Sequence, residues 1–353
     1  MNRLENMSKP LVWSTALLLT AIVAGCGGST GAAGTPGVPG NPGVPGIPAP
    51  GTAPGTVNLL SAASYALTTS AGFTASIGSA SGVANSAMIG GNVAMDAPTS
   101  ACTSTPAAAS SVTTDSCGLS TGVDITNAAV NTAGGLNITG TTIRYNPGTT
   151  PNSTAFNATV RAVKNDVNTA WNDAFNRIGG ALITGPGALG GRVLPPGTYA
   201  SLSTMTLGSG ETLTLDAGGN ANAVWIFQVG TALTITGSTV ACTGTAPVVC
   251  TPTQVKLING ALAKNVFWQV GTPTTGAANG DVSFPAATGP VENNTIFKGT
   301  ILAGNSVTFA GGTAVEGRVL AGANLLGTPN TQTGGAVTTT GGSTGAVTVT
   351  LPL

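Results

Sequence analysis

The stretch Asn222-Ala-Val-Trp-Ile-Phe-Gln-Val-Gly230 recurs, little altered, as Lys264-Asn-Val-Phe-Trp-Gln-Val-Gly271, and each copy precedes a strand-like run of small residues rich in Thr or Ser. A chain that writes an apolar strand, turns at Gly and then writes an alternating strand is stacking coils, because each unit needs the next to cover its apolar face. The pattern continues as Lys298-Gly-Thr-Ile-Leu-Ala-Gly304 and Glu316-Gly-Arg-Val-Leu-Ala-Gly322, whose closing glycines are 18 residues apart. Eighteen residues suit one three-sided coil built from strands of about five residues and short turns. The wider gaps, 41 residues from Gly230 to Gly271 and 33 from Gly271 to Gly304, need insertions, expected at 239–253 and 273–280.

Composition narrows the chemistry. The chain has 353 residues, with 53 Gly, 22 Pro, no His and only 6% charged residues, against about 25% charged in an ordinary soluble domain. The usual proton carrier and commonest metal ligand is therefore missing. Eleven acidic against eleven basic residues leave no field to attract nucleic acid. The acidic residues Asp96, Asp115, Asp124, Asp216, Asp281, Glu292 and Glu316 are scattered, and no convergent pair suggests a hydrolase or lyase. The chain is thus expected to be no enzyme and to carry no cofactor or metal.

One long apolar run, Leu11 to Val23, follows a segment carrying Arg3 and Lys9. Thirteen residues are short for a bilayer span and suit the apolar region of a signal peptide. Its end, Val23-Ala-Gly-Cys26, resembles the lipobox of bacterial lipoproteins, which implies a lipidated Cys26; an ordinary signal peptide with an incidental Cys is the alternative. From Gly27 to Gly55 runs a Gly/Pro tract in which Gly34-Thr-Pro-Gly-Val-Pro-Gly-Asn-Pro-Gly-Val-Pro-Gly46 has Gly at every third place. So few triplets favour a semi-rigid spacer over a collagen-like trimeriser. The expected organisation is a lipoprotein signal peptide over 1–26, a linker over 27–56 and a folded domain over 57–353. The protein is then exported and anchored to the outer membrane or cell surface, or secreted.

Apart from Cys26 the chain holds Cys102, Cys117, Cys242 and Cys250. Export favours disulfides. Of three possible connectivities, Cys102 with Cys117 and Cys242 with Cys250 are expected, since each pair brackets one loop insertion and closes a short ring.

Within the domain, short alternating pieces separated by Gly, Pro and Asn turns read as strands: Ser64 to Thr69, Ala87 to Met95 and Gly135 to Thr139. The period changes once. Phe156, Val160, Val163, Val167, Trp171, Ala174, Phe175 and Ile178 recur every three or four residues and predict an apolar stripe on a helix of about seven turns. Thr150-Pro151 opens this helix and Gly179-Gly180 closes it. In Val224-Trp-Ile-Phe227 and Val266-Phe-Trp268 neighbouring residues point to opposite sides of a strand, yet all are large and apolar. That side of the solenoid must be covered from outside, and the helix stripe is expected to pack there.

The order of Ala170-Trp-Asn-Asp-Ala-Phe-Asn-Arg177, Leu194-Pro-Pro-Gly-Thr-Tyr199, Leu213-Thr-Leu-Asp-Ala217, Ala223-Val-Trp-Ile-Phe-Gln228, Leu257-Ile-Asn-Gly-Ala261 with Asn265-Val-Phe-Trp-Gln-Val-Gly271, and Phe297-Lys-Gly-Thr-Ile-Leu302 resembles the microbial ice-binding protein family built on domain of unknown function 3494, over about residues 57 to 340. The resemblance implies a mainly β fold, a discontinuous β-solenoid of triangular cross-section with one long α-helix along one face. It implies adsorption to ice as the activity, and coils that stack out of chain order.

The ice-facing side is expected to follow the Phe-Gln strand, as the resemblance implies. There, alternation turns Leu233, Ile235, Val282, Phe284, Val307 and Phe309 inward and leaves a Thr/Ser-rich surface. The candidate ice-binding residues are Thr231, Thr234, Thr236, Ser283, Ser306, Thr308 and Asn324 in the run Ala323-Asn-Leu-Leu326, with Thr74 and Ser76 contributing from the amino end. Lys256 is expected to project from the Thr212/Thr214 side instead. Outward Thr is also simply a good strand former. Asp281, Ser283 and the insertions break a regular Thr ladder. The expected partners are an ice crystal surface and, through the lipid, a membrane, with the chain itself a monomer. A surface adhesin or polysaccharide-binding solenoid is the alternative from another class; it needs aromatic platforms and hydrogen-bonding Asn or Asp on an exposed groove, and few unassigned aromatics remain for that job.

Overall fold

The structure, a computed structural model, describes residues 54–70, 72–76, 87–95, 136–144, 151–178, 180–183, 187–238, 251–273, 279–285, 295–323, 336–340 and 347–353. The amino-terminal strands are β1 (Tyr65–Thr69), β2 (Gly72–Ser76), β3 (Ala87–Gly90), β4 (Asn92–Met95), β5 (Leu136–Ile138) and β6 (Thr142–Arg144). Helix α1 (Pro151–Phe175) follows. The chain then forms β7 (Ala181–Leu182), β8 (Val193–Leu194), β9 (Gly197–Ser201), β10 (Met205–Leu207), β11 (Thr212–Asp216), β12 (Trp225–Val229), β13 (Ala232–Ile235) and β14 (Thr253–Ile258). It ends with β15 (Val266–Val270), β16 (Asp281–Phe284), β17 (Thr295–Ala303), β18 (Val307–Ala310), β19 (Thr313–Ala321), β20 (Ala336–Thr340) and β21 (Val347–Thr350).

Strand pairing is parallel and resolves into three walls. The first runs β6-β4-β1-β19-β17-β15-β12-β9-β7. The second runs β5-β3-β21-β19-β17-β14-β11-β8. The third is a separate sheet, β10-β13-β16-β18-β20-β2. Strands β17 and β19, nine residues each, turn the corner between the first two walls and pair along their whole length from Thr295↔Thr313 to Ala303↔Ala321. Their turning point needs glycine. Gly299 has φ +115°, and a Cβ on Gly317 would lie 1.8 Å from the Gly299 carbonyl oxygen. Eighteen residues per coil, the spacing of the closing glycines, is thus the pitch of the solenoid at this point.

The stack is out of chain order. The last strand, β21, lies between β19 and β3, β1 pairs with β19, and β2 pairs with β20. The amino-terminal coils therefore extend the stack beyond the carboxyl-terminal ones. A solenoid closed in this way ties the two ends of the domain together through backbone pairing.

Alternation on the first wall feeds two apolar clusters. Tyr199, Phe227 and Trp268 point into the solenoid and stack across successive coils, with ring centroids 5.6 Å and 3.9 Å apart. Ile226, Phe267, Leu302 and Leu320 point out and are buried against Val160, Val163, Val167, Ala170, Trp171 and Ala174 of α1. Each large buried side chain contributes about 1.5–3 kcal/mol over an exposed one, which gives the helix its seat. The buried Trp171 indole N–H donates to the Val270 carbonyl at 3.0 Å.

The predicted stripe is corrected at its carboxyl end. Ile178 is 98% exposed, because the helix ends at Phe175 and Ile178 no longer follows its turn. The Gln228 amide of β12 caps that end, donating to the carbonyls of Ala174, Phe175 and Arg177 at 2.8–2.9 Å. Phe175 is half-buried and stacks on Trp171. The side chain of Phe156 and residue Gly179 lie outside the described residues.

Candidate functional site

The third wall is built by a simple local rule. Strands β10, β13 and β18 each follow a first-wall strand after a tight turn, and the strands of this wall then alternate apolar and small residues. Leu233 and Ile235 on β13, Val282 and Phe284 on β16, and Val307 and Phe309 on β18 are all buried to 1% exposure or less. Their rings lock together beneath the wall. Phe284 stacks on Phe309 at 4.8 Å and meets Phe297 edge-on at 5.2 Å. The outward side therefore rests on a packed apolar layer.

Register sets one position from each strand in a column. Thr206 pairs with Thr234, Thr234 with Ser283, Ser283 with Thr308, Thr308 with Thr338 and Thr338 with Thr74. Ala188 bridges to Thr206 at the end of the row. Six hydroxyl residues on six neighbouring strands thus occupy one line, and no register shift interrupts it. Thr308 is exposed, while Thr206, Thr234 and Ser283 are half-buried between neighbours. The Ser283 hydroxyl donates to Thr234 Oγ1 at 3.3 Å. Side chains in such a column repeat at about 4.8 Å, and alternate residues along one strand at about 6.7 Å.

Thr236 and Ser306 are half-buried and flank the column just beyond β13 and just before β18. Thr231 is exposed, but it sits in the bend before β13, where its N–H donates to the Ser203 carbonyl. It belongs to the corner, not to the column. Thr74 joins the column by register and Ser76 pairs with Thr340. Of the run Ala323–Leu326, the residues after Ala323 lie outside the described residues. The place beside β18 is taken by β20, and Ala323 is buried with its N–H on the Ala303 carbonyl. Asn324 lies outside the described residues, as do Cys26, Cys102, Cys117, Cys242, Cys250 and most of both predicted insertions.

Two column members, Thr206 and Thr338, were not among the sequence candidates. Thr206 was legible in principle, since Met205-Thr-Leu207 has the same buried-outward-buried pattern as β13. Thr338 carries the Val-Thr signal of β18, but a long gap separates it from Gly322.

The wall is nearly free of charge. Among the described residues of its six strands, Asp281 alone is ionisable. Charges gather elsewhere: Lys256 is exposed opposite Thr214, and Lys298 pairs with Glu316, all on the second wall. Groups with displaced protonation also lie off the third wall. The Gly218 N–H and the Asn259 amide hold Asp216 below the usual carboxylate range, and burial pushes the Tyr199 hydroxyl up to about 12. Among the described residues no three His, Cys, Asp or Glu side chains converge as a metal site.

A model of the ice-binding-like family matches residues 73–331. The chain belongs to this ice-binding-like family. Among curated ice-binding proteins, that of Flavobacterium frigoris is 27% identical over 157 residues, covering 44% of this chain and 45% of the relative. That of a Colwellia species is 30% identical over 157 residues, covering 44% and 49%. In both, the match spans about half the length of the relative or less. Among solved structures, an ice-binding protein from an Antarctic biological consortium aligns with TM-score 0.54 and 27% identity, covering 87% of this chain and 96% of that one. The fold is likewise that of the ice-binding domain of Shewanella frigidimarina, at TM-score 0.52 and 22% identity over 86% of this chain and all of the other.

Proposed function

We propose that this chain adsorbs to ice through its third wall, with Thr206, Thr234, Ser283, Thr308, Thr338 and Thr74 as the central row and Thr236, Ser306 and Ser76 beside it. The observation that carries the reading is the uninterrupted register of these six hydroxyl residues on a nearly uncharged sheet. A regular array of hydroxyl and methyl groups can order first-shell water, and bridging water is nearly as favourable as a direct hydrogen bond. β-Branched Thr has few χ1 states to lose. A sheet fixed on a packed apolar layer loses little further entropy on contact.

Names of relatives and the family match support ice as the surface bound. In the same proposal the chain is a monomer held outside the cell by a lipid on Cys26, with the Gly/Pro tract as spacer. Thermal hysteresis and crystal shaping by the full-length chain test the activity, and the reading fails if neither occurs. Cys26→Ser tests the anchor, since it should move the protein from the membrane fraction to the medium.

A further inference from the structure

Of the strands in the third wall, β16 departs from the pattern at both of its outward positions. Position 281 is an aspartate that pairs with Ala232, and position 283 is a serine between Thr234 and Thr308. The Asp281 carboxylate is exposed and tied down. Its Oδ1 accepts the Asn305 amide at 2.7 Å and the Ser306 N–H at 3.2 Å. A fixed carboxylate keeps a hydration shell ordered by charge, and stripping that shell is costly. Ser283 keeps the hydroxyl but lacks the methyl and the χ1 stiffness of Thr, and its hydroxyl is engaged by Thr234.

We propose that β16 is the strand that limits ice adsorption, dividing the wall into a patch of Thr206 and Thr234 and a patch of Thr308, Thr338 and Thr74. This rests on the ice-binding reading above. Two short patches bind more weakly than one continuous row, because contacts held on one rigid body reinforce each other only when all engage together. The carboxylate and the missing methyl both fall on the strand where the two patches meet.

The test uses the full-length chain with Asp281→Asn, Ser283→Thr and the pair combined. Asn retains an oxygen for Asn305 and Ser306 while removing the charge, and Thr retains the hydroxyl facing Thr234. Lys256→Thr on the second wall is the control. Partitioning into a growing ice front should rise for each β16 variant, by about threefold or more in apparent affinity for the pair, with Lys256→Thr unchanged and all melting temperatures close to wild type. Equal or weaker partitioning by well-folded β16 variants of an ice-binding wild type overturns the proposal, as does an equal rise in the control. A wild type that does not partition at all removes the ice-binding reading itself.

Discussion

At the residue scale the central fact is one row of hydroxyls whose partners lie up to 264 positions away in sequence, as Thr74 does from Thr338. A bulky side chain in the row lifts the wall from a flat surface without touching the core beneath. Thr206→Tyr should therefore weaken ice adsorption by about tenfold, or about 1.4 kcal/mol, with an unchanged melting temperature; ice partitioning and circular dichroism check it. Tyr199 sets an alkaline limit on stability. Its hydroxyl donates to the Pro195 carbonyl at 2.6 Å, and burial raises it from 10.0 to about 12. The folded state favours the neutral phenol, so this contribution is intact below pH 10 and is lost as pH rises toward 12. Denaturation at a series of alkaline pH values should show the loss, and Tyr199→Phe should remove it. The outward set on β13, β16 and β18 was readable because alternation is local. Thr231 is exposed in the bend just before β13, and Thr206 and Thr338 emerge only when strand register is known.

At the element scale α1 is the piece whose pattern and whose seat were both visible in sequence. Its 3.6-residue stripe and the unbroken apolar run of Val224 to Phe227 each demand a partner, and they find each other. Ile178 falls outside the stripe at the carboxyl end, since periodicity cannot register a cap supplied by a side chain from another element. Gln228 provides that cap with three hydrogen bonds. Gln228→Ala should destabilise the domain by about 1–3 kcal/mol, and Trp171→Ala by about 3–5 kcal/mol through the cavity it leaves, both measured by chemical denaturation. Ice adsorption by the folded fraction should be unaffected, because α1 covers the first wall and the hydroxyl row lies on the third.

At the scale of the whole molecule the solenoid gains its closure from the seating of β21 between β19 and β3. Coil stacking and the eighteen-residue pitch follow from the repeats alone. The out-of-order arrangement was expected only from family resemblance, for nothing local in Val347 to Thr350 says which strands it will join. Removing residues 347–353 leaves β19 and β3 without their shared neighbour, so calorimetry should show a lower melting temperature or a separate early transition for the amino-terminal coils. The same closure brings β2 alongside β20 and completes the hydroxyl row. Ice contact through the third wall is tested most directly by ice-affinity partitioning of the full-length chain beside Thr234→Tyr and Thr308→Tyr. Wild type should enter the ice and both variants should remain in the liquid with unaltered folding; variants that partition like wild type would contradict the assignment of ice contact to this wall.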